Sequence, residues 1–172
     1  KYSYERWKHV VNQMIYKELL DLISSKLKEP LPGKSAHLKL APYRKSTFDL
    51  DLDQMQPKLA STLILLYQSD QKIKFALTQR PDYSGTHGGQ ISFPGGKNEV
   101  GESLKETALR ETFEEIGIPK DKIQVIGELS QVYVPPSNFL ISPFIAFMDE
   151  KPIFVPEKNE VKQILEININ EL

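Results

Sequence analysis

The stretch that most constrains this chain runs GKNEVGESLKETALRETFEEIGI, from Gly96 to Ile118. Ser103–Ile116 reads as a helix, and Gly117 is its expected stop, because glycine enters the left-handed conformation that ends helices at little cost. β-Prone runs flank it on both sides. Leu59–Tyr67 and Lys72–Arg80, joined by Gln68-Ser69-Asp70-Gln71, read as a hairpin. Gly85, Gly88 and Gly89 interrupt the chain before a short strand candidate at Gln90–Phe93, and Pro94-Gly95-Gly96 reads as a turn. Downstream, Ile123–Val134 and Phe139–Met148 read as strands around the turn Pro135-Pro136-Ser137-Asn138, with Ile164–Ile169 as a last strand. Strands with interspersed helices make one α/β domain over residues 1–172.

The N-terminal region is different. Trp7, Val10, Val11, Met14, Ile15, Leu19, Leu22, Ile23 and Leu27 recur mostly at three- and four-residue spacing. This predicts an amphipathic helix over residues 4–27, within a helical extension of residues 1–30. Pro30, Pro32 and Gly33 end it, and a polar, irregular stretch containing Arg44 and Lys45 follows through Asp53. The helix is expected to cover either the core or a partner subunit, the second arrangement being a homodimer.

Bulk composition removes several classes of function. At 172 residues with 40% apolar and 26% charged content, the chain is globular and of single-domain size. A net charge of −1 offers no general attraction to nucleic acid or anionic membrane. The expected partner is a small molecule, and an anionic one must be drawn by local basic groups or metal ions. There are no cysteines, which excludes disulfides, thiolate metal sites and cysteine nucleophiles. Three scattered histidines, His9, His37 and His87, argue against a histidine-rich metal cluster. The N-terminus has no apolar signal core, and runs such as Leu63–Tyr67 are too short to span a bilayer. A soluble, cytoplasmic protein is expected.

Three glutamates carry the chemistry. Glu111, Glu114 and Glu115 stand at i, i+3 and i+4, which share one helix face. Like charges so placed repel, and burial would raise the cost. A bound Mg²⁺ or Mn²⁺ reverses that penalty, because hard cations prefer carboxylate oxygens. Arg110 stands four residues after Glu106 and eight after Glu102, so it can pair along the helix or brace the preceding loop. A Glu-rich helix with interleaved Lys and Arg is ordinarily a solvated face. The complete spacing argues otherwise: glycine, five residues, glutamate, seven residues, Arg-Glu, two residues, Glu-Glu, one residue, Gly and an aliphatic residue.

That pattern, residues 96–118, resembles the Nudix box, with Thr112 at a position usually aliphatic. The resemblance implies a Nudix-like α/β/α sandwich with a mixed sheet, and metal-dependent hydrolysis of a pyrophosphate bond. It implies metal ligation by Glu111, Glu114 and Glu115, with a backbone carbonyl at Gly95 or Gly96, and structural bracing by Arg110 and Glu102. Cations neutralise the phosphoryl oxygens that would repel an attacking water, and a carboxylate takes the water's proton. Glu114 and Glu160 are both candidates for that base. Glu111, Glu114 and Glu160 make up the expected catalytic set.

Leu77-Thr78-Gln79-Arg80, followed at fixed spacing by Gly89-Gln90-Ile91-Ser92-Phe93-Pro94-Gly95-Gly96, resembles the added signature of the coenzyme A pyrophosphatase branch. Leu31–His37 and Val134–Phe139, with Pro143, resemble further features of that branch. The signature carries a basic residue where Gly85 stands and a small one where Pro81 stands. Substrate phosphates are therefore assigned to Arg80, which can fork onto their oxygens, with Lys97 or Arg44 replacing the missing base. The branch implies cleavage of coenzyme A, or a derivative, to 3′,5′-ADP and 4′-phosphopantetheine; the alternatives are a Nudix pyrophosphatase acting on another nucleoside diphosphate derivative, such as ADP-ribose or a nucleoside triphosphate, and a non-catalytic Nudix-like ligand sensor. His87 reads as a loop histidine, and Tyr133 and Phe139 as core.

Overall fold

Strand β1, Lys58–Ser69, carries buried apolar side chains on both faces, Leu63, Leu65 and Tyr67 on one and Leu66 on the other beside Ile64. A strand apolar on both sides must be covered on both sides. The computed structural model describes residues 4–40, 52–82 and 88–171, and within them β1 lies inside an eight-stranded mixed sheet. Strand β7, Phe139–Met148, runs parallel to it, from Lys58 against Phe139 to Tyr67 against Met148. On its other edge β2, Lys72–Gln79, returns antiparallel through a two-residue turn. Asp70 and Gln71 have φ of 52° and 62° there, the sense of turn that matches strand twist.

The sheet order is β3-β2-β1-β7-β5, with β3 at Ile91–Ser92 and β5 at Gln124–Glu128. Strand β4, Gly95–Lys97, pairs with the first half of β1; β6, Val132–Val134, pairs with β7; and β8, Gln163–Asn168, pairs with β2. Helix α4, Leu104–Ile116, lays Ala108 and Ile116 on Leu63, Leu65, Tyr67 and Ala146. Helix α1, Tyr4–Lys26, covers the opposite face, where Tyr16 joins Leu66 and Phe75 with Leu20 and Ile23 beside them. The result is the expected α/β/α sandwich with a mixed sheet and an N-terminal helix. No helix among the described residues is long and apolar enough to cross a membrane.

Several local expectations are corrected. Part of the stretch expected to be irregular is helical, as α2, Gly33–Leu40, and α3, Leu52–Met55. Gly95 and Gly96 do not form a turn but pair in register with Thr62 and Ser61. The single strand expected over Ile123–Val134 is two, β5 and β6, separated by Leu129-Ser130-Gln131, because each pairs with a different part of β7. The inward line of α1 is Tyr16, Leu20 and Ile23, continued by Leu27 just past its end, whereas Met14, Ile15 and Leu22 face outward. Tyr16 sets that rotation: its hydroxyl donates to the Leu66 carbonyl at 3.0 Å and lies 3.2 Å from that of Met148. Burial raises its pKa. Leu27 then rests on Gly127, where a side chain would collide with it.

The helix is thus pinned to the core by one buried hydroxyl. Tyr16→Phe should lower the free energy of unfolding by about 1–2 kcal/mol in a denaturant titration. An unchanged midpoint would show that packing alone seats α1.

Candidate active site

Helix α4 is fixed at both ends by its own sequence. Ser103 caps it: its hydroxyl accepts the Glu106 N–H at 3.2 Å, and the Glu106 carboxylate accepts the Ser103 N–H at 2.7 Å. Gly117, at φ 75°, closes the other end, with its N–H donating to the Phe113 carbonyl. The carbonyls of Glu115 and Ile116, which have no partner within the helix, accept the N–H groups of Glu157 and Val155 at 3.0 and 2.9 Å. These bonds stitch the segment that carries Glu160 to the last turn of α4. Thr112, fully buried, donates to the Ala108 carbonyl at 2.7 Å and so tolerates a position usually aliphatic.

Arg110 does not pair with Glu106, which the cap occupies. Its guanidinium forks onto both oxygens of Glu102 at 2.9 and 3.1 Å. It also donates to Glu111 and Glu114, each at 2.9 Å, and to the Lys97 carbonyl at 3.1 Å. The Glu102 carboxyl is held down to about 2, chiefly by this bidentate pairing. One cation thereby ties the loop before the helix to the strand and to the helix face.

Glu111 and Glu115 point into the protein. Glu115 is 5% exposed, whereas the Glu114 side chain is 51% exposed and turned toward Arg110. Any side chain at Gly96 would collide with the Glu111 carboxylate, and one at Gly95 would collide with the Ser61 carbonyl and Thr62. Glycine at 96 leaves room for the Glu111 carboxylate, and glycine at 95, at φ 158°, lets β4 lie close against β1. Burial, then the Glu111 charge, pushes the Glu115 carboxyl up to about 7; Arg80 and the Gly95 N–H oppose the shift, and Glu160 adds to it. Burial also raises Glu111, against the pull of Arg110. The Thr78 hydroxyl lies 3.5 Å from Glu115 Oε2.

Of the residues singled out in the sequence, the structure brings Glu111, Glu115 and Gly95 together, and the charges of Arg80 and Glu160 act on Glu115. Arg80 follows β2 on the face that carries Ala76 and Thr78, by strand alternation, and its N–H donates to the Gln90 carbonyl at 2.9 Å. By strand alternation, Lys97 leaves β4 on the face opposite to that on which Gly96 meets Glu111. Tyr133 donates to Asn138 at 3.0 Å, and Phe139 lies under Lys58. Arg44, Gly85 and His87 lie outside the described residues. Thr78 gave no signal in the sequence beyond its place in a motif, since a strand threonine ordinarily reads as packing.

Among the described residues no three acidic or histidine side chains form a ready-made cage. The donor set nonetheless suits a hard divalent cation. The buried Glu115 and the partly buried Glu111 repel each other without full compensation, and both have oxygen donors to offer. Glu111 and Glu115 would hold the ion, with further oxygens from Glu114, the Gly95 carbonyl or water.

Comparison with known proteins agrees with the geometry. Residues 57–172 match the family model described as the NUDIX domain. A Caenorhabditis elegans protein named Nudix hydrolase 3 is 35% identical over 115 residues, 65% of this chain and 48% of its own length. A Yersinia enterocolitica protein named as an uncharacterized Nudix hydrolase, NudL, is 38% identical over 96 residues, 55% of this chain and 49% of its own. The chain thus spans about half the length of these relatives. The crystal structure of a Nudix hydrolase from M. smegmatis, RenU, superposes with a TM-score of 0.58 at 20% identity, over 67% of this chain and 73% of that one.

A carboxyl whose pKa rises on folding makes the folded state bind more protons than the unfolded one, so stability falls as pH rises. For Glu115 in metal-free protein, that loss begins near the ordinary 4.5 and is complete above about 7, on the order of 3 kcal/mol. Glu115→Gln should flatten the decline of the unfolding free energy between pH 5 and 7 in the presence of chelator. An unchanged slope would mean that Glu115 is not destabilised as an anion.

Proposed function

The chain belongs to the Nudix family, and we propose that it hydrolyses the pyrophosphate bond of coenzyme A or a close derivative, giving 3′,5′-ADP and 4′-phosphopantetheine. One arrangement supports the choice of substrate. The two halves of the signature, Leu77–Arg80 and Gly89–Gly96, are hydrogen-bonded neighbours, with Thr78 paired to Ser92 and the Arg80 N–H donating to Gln90. They flank the buried carboxylates. Arg80, whose charge acts on Glu115, supports this reading as the bidentate donor to phosphate oxygens.

A divalent cation, when bound, neutralises the phosphoryl oxygens and acidifies water. Glu111 and Glu115 would hold it, and Arg110 keeps Glu111 in place while occupying Glu114. Water adds to one phosphorus, the bridging P–O bond breaks, and the water's proton passes to a carboxylate. We assign that proton to Glu160. Its segment is hydrogen-bonded to the end of α4, and its charge acts on both Glu111 and Glu115, whereas Glu114 is engaged by Arg110.

Incubation with coenzyme A and Mg²⁺ or Mn²⁺, with ADP-ribose and nucleoside triphosphates in parallel, tests the reading by chromatography of the products. Metal-dependent release of 3′,5′-ADP faster than cleavage of the other substrates is expected. Cleavage of the others alone would remove coenzyme A, and no cleavage of any would remove the hydrolase reading. Glu160→Gln should lower kcat about 10²–10⁴-fold while leaving Mn²⁺ uptake in place; a variant turning over like wild type would transfer the proton to another group.

A further inference from the structure

We propose that Thr78 is a positioning residue for the cation site: its hydroxyl, delivered from β2, fixes the Glu115 carboxylate that Gly95 approaches from β4. The inference rests on the cation-binding reading given above and concerns a residue to which that reading assigns no role.

Beyond the pairing of Leu66 with Phe75, the edge of β1 passes from β2 to the segment around Pro94 and β4. Leu63 donates to the Pro94 carbonyl, and Thr62 is in register with Gly95. Strand β2 is paired at that level with β3 and β8 instead. The Glu115 carboxylate thus has Thr78 on one strand and the Gly95 N–H on another. Thr78 is 2% exposed, and a buried hydroxyl must find an acceptor. Two are in reach, the Ser92 carbonyl at 3.4 Å and Glu115 Oε2 at 3.5 Å.

A hydroxyl has one proton to give, and both distances are at the long limit of a hydrogen bond. The β-branched side chain is stiff at χ1, so the oxygen stays near both acceptors and only its hydrogen need turn. Donation to Ser92 leaves Glu115 oriented by Gly95 alone. Donation to Oε2 fixes the carboxylate plane and would leave the other oxygen available to an ion. Hydrogen bonds to metal-ligating carboxylates set ligand orientation, and their loss typically weakens metal affinity 10–100-fold. A threonine that only satisfied its own hydroxyl on Ser92 would affect folding stability and leave cation affinity alone.

Mn²⁺ binding followed by the electron paramagnetic resonance of the free ion separates these roles without any turnover. Thr78→Val should raise the Mn²⁺ Kd about tenfold or more, and Thr78→Ser, which keeps the hydroxyl, should restore affinity to near the wild-type value. In a Glu115→Gln background, Thr78→Val should add almost nothing, because coupled residues are non-additive. Wild-type affinity in Thr78→Val would overturn the proposal and leave the cation site standing. An equal loss with Ser, or an equal effect with and without the Glu115 carboxylate, would also overturn it. A wild-type protein that takes up no Mn²⁺ would remove the cation reading, and this proposal with it.

Discussion

The structure turns on the burial of two like-charged groups from a single helix face. Glu111 and Glu115 enter the protein where β4 runs beside β1; a side chain at Gly96 would meet the Glu111 carboxylate, and one at Gly95 would meet β1 itself. Neutral side chains of similar size would be less costly there, since desolvating a carboxylate is expensive without a partner. Arg110 compensates Glu111 in part, but it also serves Glu102, Glu114 and the Lys97 carbonyl. The residual cost falls on Glu115, whose carboxyl is pushed up to about 7. Such a cost, retained at one place in an otherwise consistent fold, is what a binding site for a compensating ion leaves when read without the ion.

The remaining architecture holds that pair in position. The cap at Ser103, the left-handed Gly117 and the backbone bonds from Val155 and Glu157 fix α4 at both ends. The parallel pairing of β1 with β7 supplies a rigid floor of Leu63, Leu65 and Ala146 beneath it. On the far side Tyr16 ties α1 to the same two strands through their carbonyls. Polar groups thus reach the site from α4, β2, β4 and the segment before β8, each held to its neighbour by backbone hydrogen bonds.

Much of this was legible in the sequence because it depends on local periodicity. The helix ending at Gly117, the β1–β2 hairpin and β7 follow from apolar spacing and turn residues, whereas the α/β/α layering was implied by the resemblance of residues 96–118 to the Nudix box. The charged spacing of Glu102, Arg110, Glu111 and Glu115 also pointed to the site. What sequence could not supply was set by tertiary partners. Gly95 and Gly96 carry a turn signal, yet the free edge of β1 recruits them as a strand. Met14, Ile15 and Leu22 of helix α1 face outward while Tyr16 turns inward, where its hydroxyl finds carbonyls that only the folded sheet presents. Glu114 shares a helix face with its neighbours but is drawn outward by Arg110. Thr78 is marked only by distance to a carboxylate 37 residues away.

The central claim is that the buried pair exists to hold a divalent cation. Titration of wild-type protein and of Gly96→Ala with Mn²⁺, read by loss of the free-ion resonance, tests it most directly. The account predicts saturable uptake by the wild type, displaced by excess Mg²⁺. It also predicts affinity weakened about tenfold or more in Gly96→Ala, where one added methyl displaces Glu111, with the circular dichroism of the fold retained. Absence of saturable uptake in the wild type, or equal affinity in the two proteins, would contradict it.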